Sequence, residues 1–139
     1  SLTKEAFPVI RYRTRDITRL LPGTARSMRR MSKVSGRSDD MLIIRGVNVF
    51  PGQIEEILLK QGSISPHYQI ELTRSGNMDA LTVNAEARPQ VEASAHDHLG
   101  QQIAKSIKVF IGINVRVNIL PEGGVPRSAG KAQRVLDKR

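Results

Sequence analysis

Apolar and polar side chains alternate along Val9-Ile10-Arg11-Tyr12-Arg13-Thr14-Arg15-Asp16-Ile17-Thr18-Arg19-Leu20-Leu21. A period of two is the pattern of a strand, whose successive side chains point to opposite faces. Pro22-Gly23 marks a turn, and residues 29–34 are expected to return as a second strand. This segment holds too few apolar residues to build a core alone and needs a partner sheet. Residues 36–40 form the first clear boundary. Beyond it, Met41-Leu42-Ile43-Ile44 and Val47-Asn48-Val49-Phe50 flank Arg45-Gly46, the pattern of a short hairpin. Pro51 suits a first helical residue. Ile54, Ile57, Leu58 and Gln61 then follow helical spacing, Glu55 and Glu56 take the wet face, and Gly62 stops the helix. Residues 68–73 and 80–86 read as two strands of a hairpin, with Arg74-Ser75-Gly76-Asn77-Met78-Asp79 as the turn between them. Residues 91–108 read as a helix that carries Leu99, Ile103 and Ile107 one turn apart. Ile113-Asn114-Val115-Arg116-Val117-Asn118-Ile119 alternates strictly, and a loop with Gly123-Gly124 and Pro126 leads to the tail. After residue 40 the order is hairpin, helix, strand, strand, helix, strand. That order predicts an α+β fold, a small two-layer domain with a mostly antiparallel sheet, close to the split βαβ arrangement.

Composition narrows the function classes. A chain of 139 residues, 39% of them hydrophobic, makes one domain, or one domain plus a remnant, with a modest core. The absence of cysteine excludes disulfides and thiolate metal sites and fits a reducing cytoplasm. No run approaches the roughly 18 apolar residues of a membrane span. No signal peptide is visible, and a first residue of Ser1 fits an expressed fragment. The net charge of +9 raises a nucleic-acid-binding module as an alternative. Its distribution argues against that: residues 1–38 carry ten Lys and Arg against two acids, while residues 39–139 are nearly balanced at +1. Of Phe7, Tyr12, Phe50, Tyr68 and Phe110, only Tyr12 sits among the arginines, whereas single-strand binders interleave stacking rings with their charge. Neither nucleic acid nor a membrane is therefore an expected partner.

Few residues carry candidate chemistry. Lys131 follows Val125-Pro126-Arg127-Ser128-Ala129-Gly130. A lysine beyond a glycine-bounded loop can reach a distant site and meet developing negative charge; the plainer alternative is a solvated tail lysine. A P-loop is excluded, because Val125 and Ala132 stand where that motif needs Gly and Ser or Thr. Asp39-Asp40 within Gly36-Arg37-Ser38-Asp39-Asp40 suits a turn capped by Asp39, a metal corner without a third ligand, or a hinge. His96 and His98 stand two residues apart, a spacing that turns them away from each other on a helix and disfavours chelation. His67 reads as a surface residue, and no serine–histidine–acid set can be assembled.

Two stretches in this order, Gly36-Arg37-Ser38-Asp39-Asp40-Met41-Leu42-Ile43-Ile44-Arg45-Gly46 and Val125-Pro126-Arg127-Ser128-Ala129-Gly130-Lys131, resemble signature motifs of the adenylate-forming ligases. With Pro8-Val9-Ile10-Arg11-Tyr12-Arg13-Thr14-Arg15-Asp16, the whole chain resembles the phenylacetate–coenzyme A ligase family of that superfamily. Most of the superfamily has Gly before this Asp; Arg15 is similar to the aryl-acetate branch.

The resemblance implies roles and partners. Asp16 would hold the ATP ribose hydroxyls, Arg37 would lie near the nucleotide, and Asp39 would be the pivot of a mobile lid. Arg45 and Gly46 would approach the pantetheine arm of CoA, and Lys131 would be the adenylation lysine. Residues 1–38 would be the last strands of a large N-terminal domain of the same polypeptide, and residues 39–139 the lid. The small substrates would be an aryl acid, ATP and CoA, with Mg2+ expected beside ATP and no ligand to it evident in this chain. The family's phosphate loop and aryl pocket lie upstream, so the chain alone is expected to be inactive. Its severed strands are open to pairing or swapping with a second copy. The same motifs also serve enzymes that pass the acyl group to a carrier-protein thiol.

Overall fold

The computed structural model describes residues 12–24, 27–127 and 133–139. It divides into two compact units, Ser1–Asp40 and Met41–Arg139. In the first, β1 (Asp16–Ile17) pairs antiparallel with β4 (Gly36–Arg37), and β2 (Leu20–Leu21) pairs antiparallel with β3 (Arg30–Met31). These are two parts of one irregular hairpin, as the Pro22-Gly23 turn predicts. Leu20 faces Met31 and Ile17 faces Gly36, so the return strand carries two extra residues. Thr18 and Ser32 occupy the irregularity. Thr18 Oγ1 donates to the Ser32 carbonyl at 2.8 Å, and Ser32 Oγ accepts from the Arg19 amide at 3.0 Å. The regular strands are shorter than alternation suggests, and residues 9–11 of the expected strand lie outside the described residues. Leu20, Met28 and Met31 remain exposed, and no described residue of this unit joins the buried core.

The second unit supplies that core. β5 (Leu42–Ile44) and β6 (Val47–Val49) form the expected hairpin. Pro51 opens α1 (Pro51–Lys60), and the Gln53 side chain accepts from the Phe50 amide at 3.3 Å, satisfying one donor at the helix start. β7 (Ile64–Ser75) and β8 (Met78–Ala87) run antiparallel and extend further than expected, which leaves only Gly76 and Asn77 in the turn. A single 3-10 turn at Ala93–Ala95 precedes α2 (His96–Ile111), so the helix begins five residues later than its periodicity suggests. β9 (Arg116–Leu120) then pairs parallel with β8, and β10 (Val135–Asp137), unexpected from the sequence, pairs parallel with β7.

The main sheet therefore has the order β10-β7-β8-β9, antiparallel at its centre and parallel at both edges. Among the described residues antiparallel ladders predominate, four of six, and the α+β two-layer expectation holds. One sheet face presents Tyr68, Ile70 and Leu72 from β7 with Leu81, Val83 and Ala85 from β8. Ile54, Ile57 and Leu58 of α1 and Leu99, Ile103 and Ile107 of α2 complete the cluster, as their 3.6-residue spacing requires. No helix among the described residues is long and apolar enough to cross a membrane.

Candidate functional site

Three of the sequence-derived candidates meet at the end of one ladder. Asp16 on β1 stands opposite Arg37 on β4, and directly opposed residues project from the same face of a ladder. The pairing continues past the strands, the Ser38 amide donating to the Arg15 carbonyl at 2.8 Å. Arg37 turns its guanidinium to Asp39 in a two-point contact, Nε to Oδ1 at 3.0 Å and Nη2 to Oδ2 at 2.7 Å. Those hydrogen bonds hold the Asp39 carboxyl below its ordinary value and raise Arg37. Arg15 adds a second cation, 3.8 Å from Asp39 Oδ2. The Asp39 carboxylate thus sits between two guanidinium groups. Asp39 immediately precedes the last residue of the first unit.

Arg15 also has φ +65°, a left-handed conformation. Glycine reaches it without strain, and an arginine occupies it only when its surroundings hold it there. The Ser38–Arg15 hydrogen bond and the Asp16–Arg37 register provide that hold.

Arg45 and Gly46 form the two-residue turn between β5 and β6, with φ +49° and +79°. Two positive φ angles mark a type I′ turn, whose twist matches that of the flanking strands. A Cβ on Gly46 would meet nothing within 4 Å, so turn geometry, not crowding within the chain, demands the glycine. Arg45 Nη2 donates to the Asn114 carbonyl at 2.9 Å, tying the turn to the chain ahead of β9.

Lys131 lies outside the described residues. Glu86 is 1% exposed, the one buried charged residue among those described. Its Oε1 accepts from Arg127 Nη2 at 2.8 Å and its Oε2 from Arg127 Nη1 at 2.9 Å. Arg134, beyond Lys131, ion-pairs with Glu55 and donates to the Tyr68 hydroxyl at 3.1 Å. Its guanidinium also lies 4.9 Å from the centroid of the Tyr68 ring. Burial, reinforced by Glu55, pushes the Tyr68 hydroxyl up to about 12. Glu55 is therefore half-buried and paired, not the solvated helix charge the sequence suggests. Sequence reasoning missed Glu86 and Glu55 because their partners lie 41 and 79 residues away. In the sequence Glu86 simply continues the polar side of the strand's alternation after Thr82 and Asn84, so no local signal marked it.

His96 and His98 both fall in the first turn of α2, and among the described residues no three His, Asp or Glu side chains gather as a metal site would require.

Comparison with known proteins gives a consistent family. Residues 46–139 match the family model described as the AMP-binding enzyme C-terminal domain. The chain is 56% identical over 142 aligned residues to the phenylacetate-coenzyme A ligase of Escherichia coli (strain K12), covering all of this chain and 32% of that protein. It spans about a third of the length of the curated relatives it matches. Among solved structures, a domain of phenylacetate-coenzyme A ligase from Bacteroides vulgatus superposes with TM-score 0.66 at 36% identity, covering 73% of this chain and 94% of that one. A 2-hydroxyisobutyryl-CoA ligase in its postadenylation state gives TM-score 0.77 at 26% identity, covering 90% of this chain and 28% of that one. The motifs, the α+β layer and these matches converge, and the chain belongs to the AMP-binding enzyme C-terminal domain family.

Proposed function

We propose that this chain is the C-terminal part of an ATP-dependent, AMP-forming ligase that joins an aryl acid, phenylacetate above others, to CoA. Residues 1–38 are the last strands of the large N-terminal domain, and residues 39–139 are the lid. Supporting the first assignment, Leu20 and Met31 form an exposed cross-strand apolar pair, a surface suited to a partner sheet.

The chemistry runs in two steps. In the first, an oxygen of the substrate carboxylate bonds to the α-phosphorus of ATP, and the bond to pyrophosphate breaks. Two anions must meet, and Lys131 bridges them, offsetting their repulsion as charge develops. In the second, the CoA thiol loses its proton and attacks the acyl carbon, and AMP leaves. Lys131 would obstruct the thiol, so the lid turns about Asp39, removes the lysine and brings the Arg45-Gly46 turn to the pantetheine arm. One lid thereby gives two faces to one site. Asp16 holds the ribose hydroxyls, and Arg37 lies beside the nucleotide. Mg2+ accompanies ATP, and no residue of this chain is assigned to it.

The observation that carries this proposal is the register of Asp16 with Arg37, and the two-point contact from Arg37 to Asp39. It gathers the ribose, nucleotide and pivot candidates at the end of one short ladder. In the full-length parent, Asp16→Ala should raise KM for ATP in pyrophosphate exchange at least tenfold and leave KM for the aryl acid near its original value. An unchanged ATP KM would contradict the assignment. The isolated chain should show no exchange at all.

A further inference from the structure

We infer that Arg139 is a positioning residue for CoA transfer: held by Asp79 and Asp137, its guanidinium braces the β5–β6 hairpin that bears the Arg45-Gly46 turn. This rests on the CoA role proposed for that turn.

The hairpin is two strands of three residues each, paired only with each other among the described residues. A lone two-stranded hairpin is marginal and takes its position from what it touches. Leu42, Ile44, Val47 and Val49 set one face against the core. Ile43 and Asn48 alternate to the other face, and Ile43 is 56% exposed. The core contact fixes how deep the hairpin sits; its tip and its outer edge need holds of their own. At the tip, Arg45 reaches the Asn114 carbonyl. At the edge, the backbone offers the acceptor. With a two-residue turn, Ile44 and Val47 exchange the first ladder hydrogen bonds, so the next pair, Ile43 and Asn48, turns its amides and carbonyls away from the ladder. The Ile43 carbonyl therefore points off the edge of β5, and Arg139 Nη1 donates to it at 3.2 Å.

That guanidinium is itself fixed. Nη1 also donates to Asp79 Oδ2 at 2.9 Å. Nε and Nη2 make a two-point contact with Asp137, at 2.9 Å to Oδ1 and 2.7 Å to Oδ2. Asp79, near the start of β8, accepts from a second cation, Arg74 Nε of β7, at 2.8 Å. The Arg139 and Asp79 side chains are only 21% and 13% exposed. One side chain thus ties the end of β10 and the β7–β8 pair to the edge of β5, two residues before Arg45. β10 does not depend on it: Val135, Leu136 and Asp137 already pair with β7, and the Lys138 amide donates to the Leu72 carbonyl at 2.9 Å. What Arg139 adds is the hold on Ile43. A misplacement of 1 Å that originates far from the chemistry can cost about a hundredfold in rate, so a turn released at one edge is a turn that meets the pantetheine arm poorly.

The test uses the full-length parent and times the two half-reactions separately. In Arg139→Ala, kcat/KM for CoA in transfer from preformed aryl-adenylate should fall about tenfold, while adenylate formation stays within about twofold. Backbone amides of residues 42–49 should exchange with solvent deuterium several-fold faster, and those of α2 at their original rate. A merely structural role would lower both half-reactions together or neither, and either result overturns the inference, as does unchanged exchange in the hairpin. Should Arg139→Ala not stay folded at the assay temperature, Arg139→Lys keeps the charge beside Asp79 and Asp137 and gives up the two-point contact that aims it at Ile43. Its CoA transfer should fall in the same selective way, and a loss shared by both half-reactions, or by neither, again overturns the inference. Arg74→Ala removes the other cation on Asp79 without touching β5 and should leave both half-reactions within about twofold; a selective CoA loss equal to that of Arg139→Ala would overturn the role of the Ile43 contact. Arg45→Gly is measured alongside. If CoA transfer is untouched by Arg45→Gly, the CoA face proposed for the turn falls and the inference with it. If Arg45→Gly impairs CoA transfer while the Arg139 variants do not, the brace alone is wrong.

Discussion

Arg15 holds a left-handed backbone angle that costs a non-glycine residue about 1–2 kcal/mol. Its exposed ion pair to Asp39, at 3.8 Å, is screened by solvent and contributes little. The added freedom of an unfolded glycine offsets much of that backbone cost. Arg15→Gly should therefore leave stability within about 1 kcal/mol of the original, whereas Arg15→Val, β-branched at a positive φ, should lose about 1–2 kcal/mol. Chemical unfolding of the three chains checks this; equal stability for Gly and Val would mean that the backbone angle is wrong. Asp16, Arg37, Asp39 and Arg45-Gly46 were all legible as motifs. What the sequence did not disclose was their register, since only the fold shows that Asp16 faces Arg37 and that Arg37 commits its guanidinium to Asp39.

At the level of elements, the periodic segments were readable and the long-range pairings were not. α1, α2, the β5–β6 hairpin and the β7–β8 pair follow from spacing and turn residues, which are local properties. β10 is only three residues long and exists through parallel pairing with β7, more than sixty residues earlier, so no local pattern announces it. The contact of α2 with β9 depends on Gly100, where an added Cβ would stand 2.9 Å from the Val117 carbonyl oxygen. Alanine at a helix interior normally gains about 1 kcal/mol over glycine. Here it forces the helix off a backbone atom, and overpacking of that kind costs about 1–3 kcal/mol. Gly100→Ala should thus lower the urea midpoint; a raised midpoint would show that the helix sits further from β9. In the turn of β5–β6, Arg45→Gly keeps the positive φ and removes the tie to Asn114. In the full-length parent it should raise KM for CoA several-fold and leave pyrophosphate exchange unchanged; an effect confined to exchange would remove this turn from the CoA face.

Over the whole molecule, the +9 charge is concentrated in residues 1–38, beside exposed apolar side chains, and the second unit holds the core and most of the ion pairs. Hydrogen bonds from Arg127, Arg74 and Arg37 hold Glu86, Asp79 and Asp39 below their ordinary values, and Arg139 holds Asp137 down to about 2. A depressed carboxyl stabilises the fold fully above its unfolded value, ordinarily 3.8 for Asp and 4.5 for Glu, and loses that contribution as pH falls through its folded value. The melting temperature should accordingly stay level from about pH 7 to 5 and drop between about pH 4.5 and 2. The buried Glu86 should account for more of the drop than the exposed Asp39 and Asp137, whose pairs are screened. A drop that begins above pH 6 would point to other groups. The most direct test of the lid assignment is Lys131→Ala in the full-length parent, with adenylate formation and CoA transfer from preformed aryl-adenylate timed separately. Loss of adenylate formation by orders of magnitude, with CoA transfer near intact, is the predicted result; unchanged adenylate formation would contradict it and leave Lys131 a solvated lysine of the tail.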